Sequence, residues 1–216
     1  KRGWLGVRIQ DVTKEIAEVE KLDKARGALV ASVAENSPSE KAGIQAGDII
    51  LEFNGQKINQ MKELPAIVAR TEVGKNVEVK IWREKKEIIK NVILGRLETS
   101  DDFKISKNQE TDQKNDEEII KSLRIAVRPL TKEDIKNRKL PNQTTGLVIT
   151  KIANNSPLLN SVELNSIIIE AQKKKIISPD DLRNITKEVL ESNQKTILLA
   201  IYNNQNQRRY IGVKLD

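Results

Sequence analysis

The residues Arg2-Gly3-Trp4-Leu5-Gly6-Val7 lie at the start of the chain. Two glycines three positions apart allow the backbone to adopt positive φ angles or to approach another segment closely. The next residues, 7–10, alternate apolar and polar side chains, which is typical of a half-buried strand. A loop with outward-turned amides before an exposed strand can hold a carboxylate, and that strand can accept another strand. A plain glycine turn that only begins a strand is the alternative.

The composition lacks the usual side chains of nucleophilic catalysis. The 216 residues are 38% hydrophobic and 32% charged, and they include no Cys and no His. Thiolate zinc sites, disulfides, Cys nucleophiles and a Ser/His/Asp triad are therefore excluded for this sequence. We expect no enzymatic activity, no metal and no organic cofactor here. The chain begins at Lys1 without Met or a signal sequence, so we interpret it as part of a longer protein.

The net charge of +7 is divided among short basic clusters, such as Lys173-Lys174-Lys175, without interleaved aromatic residues. Nucleic-acid binding usually needs basic residues gathered on one face, often with aromatic stacking partners. We therefore interpret the charge as solvated surface and expect no nucleic-acid partner. A basic nucleic-acid or membrane-surface binder is an alternative that salt-dependent heparin retention would detect. The longest apolar run, 197–202, is too short to span a bilayer, so no membrane insertion is expected.

The first half of the sequence mixes strand and helix signals. Strands are predicted at 28–33, 49–53, 77–82 and 88–94, and helices at 14–22 and 60–70. Asn36-Ser37-Pro38 opens a short helix, because proline is favoured in a first helical turn. Asp48 follows Gly47 in a tight turn, where we expect its carboxylate to cap the backbone and not to act as a catalytic acid. Asn54-Gly55 predicts a hairpin turn.

The composition changes at 98–121, where few apolar residues occur. Such a segment cannot bury enough surface to fold alone, so we predict a flexible linker with a helical turn toward 117–121. Beyond it the order of elements repeats at an offset of about 118 residues. Residues 146–149 match 27–30, residues 155–157 match 36–38, and residues 167–170 match 49–52. We therefore predict two copies of one α+β, mainly β module, at residues 1–97 and 122–216.

These motifs resemble the PDZ domains of a bacterial protease family. The motifs at 2–7, 36–38, 42–50 and 54–55 have the order and spacing of the first PDZ domain of the HtrA (DegP/DegQ-like) serine proteases. Residues 123–215 resemble the second PDZ domain of the same proteins more weakly. The resemblance implies that each module is a small, partly open β-barrel or sandwich capped by two helices. It also implies a periplasmic location and a trypsin-like serine endopeptidase as the parent protein.

The resemblance further implies that the first module recognises peptides by strand addition. A C-terminal or extended peptide of an unfolded protein would pair with the strand at 7–10 and lie against the second helix. The predicted carboxylate-binding loop consists of Trp4, Leu5, Gly6 and Val7. The predicted peptide-binding strand and pocket consist of Arg8, Ile9, Gln10, Leu64, Ile67 and Val68. Ordinary core packing is the alternative for Leu64 and Val68, because a pocket lining and a core face share one helical periodicity.

The second module departs from this pattern at two positions. Arg124 stands where the first module has Gly6, and Asn165-Ser166 replaces Gly47-Asp48. Arginine adopts positive φ less readily than glycine, and its side chain could fill an anion site. Direct capture of a carboxylate by Arg124 is the alternative. The degenerate second site is predicted to contain Leu123, Arg124, Ile125, Leu182, Ile185 and Thr186.

The two modules together resemble the substrate-recognition and assembly region of a DegP-like endoprotease and chaperone. This resemblance implies that the second module serves regulation and homo-oligomer contacts, both between PDZ domains and between PDZ and protease domains. A PDZ scaffold or regulator that never had a protease partner is the alternative.

Overall fold

The protein is described by a computed structural model that covers residues 2–96 and 117–215. The chain divides into two compact units, Lys1–Ile105 and Ser106–Asp216. Each unit has its own aliphatic core and is described by itself. Most of the predicted linker, 98–121, lies outside the described residues, and the domain boundaries given above stay predictions.

The first unit contains one main antiparallel sheet and three helices within residues 2–96. The elements are β1 (Gly3–Trp4), β2 (Val7–Asp11), α1 (Lys14–Glu20), β3 (Ala28–Val33), α2 (Pro38–Lys41), β4 (Ile49–Phe53), β5 (Gln56–Lys57), α3 (Glu63–Arg70), β6 (Asn76–Arg83), β7 (Lys86–Ile93) and β8 (Gly95–Arg96). The main sheet has the order β2-β3-β4-β6-β7, with β5 paired to β4, and β1 pairs separately with β8. Strand β2 therefore forms one edge of the main sheet.

Local sequence signals explain where these helices begin and end. The Thr13 hydroxyl accepts a hydrogen bond from the Ile16 amide and caps α1. Ser37 caps α2, and Pro38 occupies its first turn, as the sequence predicted. Helix α1 ends at Glu20, two residues before its predicted end, because Lys21 takes a left-handed conformation with φ 54°. Helix α3 begins at Glu63, three residues after its predicted start.

Asp48 makes the predicted hydrogen bond with the backbone of its turn and also forms a buried ion pair. Its carboxylate accepts a hydrogen bond from the Gln45 amide at 2.8 Å, and its side chain is 2% exposed. The guanidinium of Arg83 donates two further hydrogen bonds to it, at 2.8 and 2.7 Å, and one to the Gly43 carbonyl at 2.8 Å. The turn between α2 and β4 is therefore fastened to the end of β6.

The second unit repeats this arrangement over residues 117–215. Its elements are β9 (Glu118–Ile120), β10 (Ile125–Pro129), α4 (Lys132–Asn137), β11 (Leu147–Ile152), β12 (Ile167–Ala171), β13 (Lys174–Lys175), α5 (Pro179–Glu191), β14 (Thr196–Tyr202) and β15 (Arg208–Lys214). Its sheet has the order β15-β14-β12-β11-β10-β9, with β13 paired to β12. Strands β10 to β15 thus follow the connectivity of β2 to β7, and α5 corresponds to α3. Both sheets are open and do not close into barrels.

In the second unit, hydrogen bonds from a different arginine hold the turn that corresponds to the one held by the Asp48–Arg83 pair. Asn165 stands at the position of Gly47 and adopts its left-handed conformation, with φ 66°. Arg138, which follows α4, donates hydrogen bonds to the main-chain carbonyls of Asn165 and Asn203, both at 2.7 Å. The turn before β12 is therefore fastened by an arginine from a different element.

The predicted helical turn at 117–121 is wrong. Residues Glu118, Ile119 and Ile120 form strand β9, which pairs with β10 in antiparallel register. Two consecutive β-branched residues favour extended structure, and pairing with β10 supplies the hydrogen bonds that an isolated strand lacks. The ordered sheet of the second unit thus begins inside the segment predicted as linker.

Neither described range, 2–96 or 117–215, contains a helix that is long and apolar enough to cross a bilayer.

Candidate functional site

The outer edge of β2 is open in the first unit. Strand β2 pairs with β3 through Val7 opposite Val33, and the Ala34 amide donates to the Gly6 carbonyl at 2.8 Å. Antiparallel strands alternate between hydrogen-bonded and non-hydrogen-bonded pairs, so Val7 turns its own N–H and C=O away from β3. No strand within residues 2–96 pairs with this side of β2. A further strand could therefore add here.

The loop before β2 presents two backbone amides beside this edge. Gly6 adopts a φ of +78°, and the Leu5 carbonyl accepts a hydrogen bond from the Ser39 amide at 3.0 Å. Among the hydrogen bonds within residues 2–96, none uses the amide of Leu5 or Gly6 as its donor. Successive amides around a left-handed residue form a concave site for an anion. The loop geometry therefore suits a carboxylate.

Close packing holds this loop in place. A Cβ atom added to Gly6 would lie 2.2 Å from the Ser37 Cβ, and Trp4 packs beside both Gly6 and Gly95. Trp4 is partly buried, so it supports the loop from within the unit. Gly6 therefore serves two purposes, the left-handed turn and the close approach of Ser37.

The apolar residues predicted for the pocket divide into core and accessible members. Leu5, Leu64 and Val68 are 4%, 1% and 6% exposed and belong to the core cluster. Val7 and Ile9 of β2 and Ile67 of α3 pack against that cluster and stay partly exposed. Of the remaining predicted residues, Arg8 is exposed and Gln10 is partly buried. Leu64 and Val68 are thus buried in the core, and Val7, Ile9 and Ile67 supply the accessible apolar surface.

The corresponding edge of the second unit is occupied. Strands β2 and β10 both carry a register shift after their second residue, which aligns Val7 with Ile125 and Ile9 with Val127. Strand β9 pairs with the outer side of β10, with Ile120 opposite Ile125. Ile125, Val127 and Ile185 are 2%, 0% and 6% exposed, whereas their counterparts in the first unit are partly exposed.

Arg124 keeps the backbone conformation of Gly6, although arginine adopts positive φ less readily than glycine. Its φ is +51°, and its carbonyl accepts a hydrogen bond from the Ala153 amide at 3.0 Å, as Gly6 accepts from Ala34. The guanidinium donates to the Asn155 carbonyl at 2.7 Å. These contacts hold a conformation that arginine rarely adopts unaided. The other residues predicted for this site, Leu123, Leu182 and Thr186, are 0%, 0% and 2% exposed.

Comparison with known families identifies the first unit. Residues 3–94 match the family model described as PDZ domain. The first unit is a PDZ domain. The open strand edge, the glycine loop before it and the helix beside it are thus parts of one PDZ domain.

The whole chain is also similar to bacterial proteases. It is 36% identical over 209 residues to a DegP-like periplasmic serine endoprotease of Rickettsia conorii, which covers 93% of this chain and 40% of the relative. It is 30% identical over 218 residues to a protein of the same description from Hahella chejuensis, of which it spans 44%. The chain therefore spans less than half the length of these curated relatives. The resemblance to HtrA-type PDZ domains is confirmed, and both of these relatives are described as periplasmic proteins.

Solved structures of HtrA-type proteins are also similar over the length of one PDZ domain. The HtrA-type protease AlgW with decapeptide is 31% identical, with a TM-score of 0.40, and covers 44% of this chain and 29% of that protease. The HtrA3 PDZ domain bound to a phage-derived ligand is 26% identical, with a TM-score of 0.37, and covers 43% of this chain and 86% of that domain.

Proposed function

We propose that the first PDZ domain binds peptides by adding them as an antiparallel strand to β2, with preference for a free C-terminal carboxylate. The observation that carries this proposal is the open edge of β2 beside two amides that donate to no acceptor within residues 2–96. Main-chain pairing gives affinity that tolerates many sequences. The apolar surface of Val7, Ile9 and Ile67 selects an apolar last side chain.

The proposed ligands are segments of unfolded or misfolded proteins. Such proteins expose extended apolar segments and free backbone groups, which is what an open strand edge beside an apolar surface can pair with. We propose that the chain is the recognition and assembly region of a longer DegP-like serine endoprotease and chaperone. The similarity of nearly the whole of this chain to part of the length of proteins of that description supports this assignment. The catalytic triad would lie in another segment, because this sequence contains no His.

The second unit is proposed to serve oligomer contacts and regulation in the longer protein. Its peptide edge is covered by β9, which favours a role other than constant capture of unfolded chains.

Substitution of Ile67 tests the groove of the first PDZ domain. We expect Ile67→Glu to weaken binding of a fluorescent peptide with a free C-terminal Val by more than about tenfold, since a carboxylate would enter the apolar surface beside the peptide's own carboxylate. Fluorescence anisotropy measures the affinity. Ile89→Glu is the matched control, because Ile89 lies on β7 and is already 53% exposed. Equal affinities for both variants and the unmodified chain would exclude this groove as the binding site.

A further inference from the structure

We infer that the second unit contains a peptide-binding groove of its own, which residues 117–120 occupy as an internal ligand, and that this groove prefers peptides with Glu two positions before a terminal Ile. This site is separate from the one proposed for the first PDZ domain, and it differs from that site in the peptides it selects.

The backbone of the internal segment makes both kinds of contact that an added peptide would make. Strand β9 runs antiparallel to β10 along its outer edge. In the first unit the corresponding edge, that of β2, is open. At the end of β9, the carbonyls of Ile120 and Lys121 accept hydrogen bonds from the amides of Leu123 and Arg124, both at 3.2 Å. These two amides correspond to those of Leu5 and Gly6 in the first unit. The chain itself thus supplies the added strand, and its carbonyl oxygens take the place of a peptide's terminal carboxylate.

The side chains of β9 alternate between the groove and solvent. Ile120 is 0% exposed and belongs to the same core cluster as Leu182 and Ile185 of α5, which correspond to Leu64 and Ile67. Ile119, the preceding residue, is 64% exposed. Ile120 therefore occupies the position at which a peptide's last side chain would be buried.

Two cations beside the groove recognise the acidic residues of the segment. The Glu118 carboxylate accepts a hydrogen bond from Arg183 of α5 at 2.5 Å. Glu117 accepts from Lys151 of β11 at 2.7 Å and from the Thr150 hydroxyl, and these bonds hold the pKa of Glu117 below its usual value.

The first PDZ domain lacks both cations at the corresponding positions. Pro65 of α3 aligns with Arg183, and Ser32 of β3, opposite Arg8, aligns with Lys151. The two grooves therefore differ in the charge of the peptide that they select. The contacts that Arg183 and Lys151 make with Glu118 and Glu117 thus have no counterpart at Pro65 and Ser32 of the first PDZ domain.

The internal strand is short enough to be released. It has three residues, and the side chains of its two ion pairs are between 35% and 74% exposed, so salt screens them and they hold the strand weakly. Ile120 is the one side chain of β9 that is fully buried. Local opening of such a segment requires much less free energy than global unfolding.

The test releases β9 in the full chain and then offers its own sequence as a probe. Ile120→Asp removes the apolar anchor, and Ile119→Asp is the matched control at the exposed neighbouring position. The probe is the free peptide Asn-Asp-Glu-Glu-Ile-Ile, whose sequence matches residues 115–120. Amide NMR signals of Leu123, Arg124 and Ile125 report the second groove, and those of residues 5–7 report the first groove independently.

We expect the probe to shift the signals of residues 123–125 in Ile120→Asp, at concentrations that leave these signals unchanged in the unmodified chain and in Ile119→Asp. In Ile120→Asp, a probe with Lys in place of its second Glu should bind at least tenfold more weakly than the original probe. When Arg183→Glu is combined with Ile120→Asp, this difference in affinity between the two probes should disappear. Ile120→Ala, a milder release, should bind the probe with intermediate affinity.

Three results would overturn the inference. The first is a folded Ile120 variant whose signals at 123–125 do not respond to the probe. The second is unfolding of the second unit by both Ile120→Asp and Ile120→Ala, since β9 would then be an indispensable part of the core. Shifts at residues 5–7 alone would also contradict the second site, and they would leave the function proposed for the first PDZ domain intact.

Discussion

Arg83→Met is expected to lower the free energy of unfolding of the first PDZ domain by about 3–5 kcal/mol, because the change leaves a buried charge without its partner. Asp48 is 2% exposed and would keep the hydrogen bond from the Gln45 amide but lose both bonds from the guanidinium. The Gly43 carbonyl would lose its donor as well. Urea unfolding followed by tryptophan fluorescence measures this loss selectively, since Trp4 and Trp82 both lie in the first unit.

A second ion pair on the same strand provides the control. Lys80 of β6 contacts Glu52 at 2.7 Å, and both side chains are about one quarter exposed, at 28% and 25%. Lys80→Met should therefore cost less than about 1 kcal/mol. The double variant Asp48→Ser with Arg83→Met should recover part of the loss, because it removes the unpaired carboxylate and places Ser where the second unit has Ser166. If Arg83→Met and Lys80→Met lowered the free energy of unfolding equally, burial would not explain the stability that each ion pair contributes.

Gly6→Ala is expected to destabilise the first PDZ domain by about 2–5 kcal/mol, from left-handed strain and overpacking together. Gly6 has a φ of +78°, and an added Cβ would lie 2.2 Å from the Ser37 Cβ and 3.1 Å from the Trp4 ring. Relief of these contacts would displace the loop that carries the Leu5 and Gly6 amides. We therefore expect peptide affinity to fall even where the variant stays folded.

Gly74→Ala separates the cost of the left-handed backbone from the cost of the steric clash with Ser37. Gly74 has a similar φ of +84°, but an added Cβ there would meet no atom within 4 Å. Its expected cost is about 1–2 kcal/mol, with unchanged peptide affinity, because only the left-handed penalty remains. Urea unfolding and peptide titration of both variants make the comparison. Similar results for Gly6→Ala and Gly74→Ala would mean that Ser37 does not constrain the loop.

The parts of the fold that the sequence predicted depend on local signals. Glycine at left-handed positions, proline in a first helical turn and the alternation of apolar residues in β2 all act over a few residues. The repeat at about 118 residues then extended these signals to the second unit. The loop around Gly6 was predicted in the same way, since its two glycines and the apolar residues of the next strand are neighbours in sequence.

The features that the sequence did not predict depend on distant partners. Asp48 and Arg83 are 35 residues apart, and nothing in either local sequence indicates the pair. Strand β9 lies at the end of a charged segment, and its three residues obtain their strand hydrogen bonds from the edge of β10, which is distant from any local signal in the charged segment. Arg124 adopts positive φ because its carbonyl and guanidinium are both bound to the loop at 153–155. Composition describes such segments poorly because tertiary contacts decide their conformation.

Capture of a terminal carboxylate by the first PDZ domain is tested most directly by amide NMR of the full chain. The titrants are a peptide with a free C-terminal Val and its amidated twin, and the signals of interest are those of Leu5, Gly6 and Val7. We expect the free acid to shift these signals, and amidation to weaken binding by about 10- to 100-fold, the value of a charge-assisted hydrogen bond. Equal affinity for the two peptides, or shifts that avoid residues 5–7 and the edge of β2, would contradict strand addition with carboxylate capture.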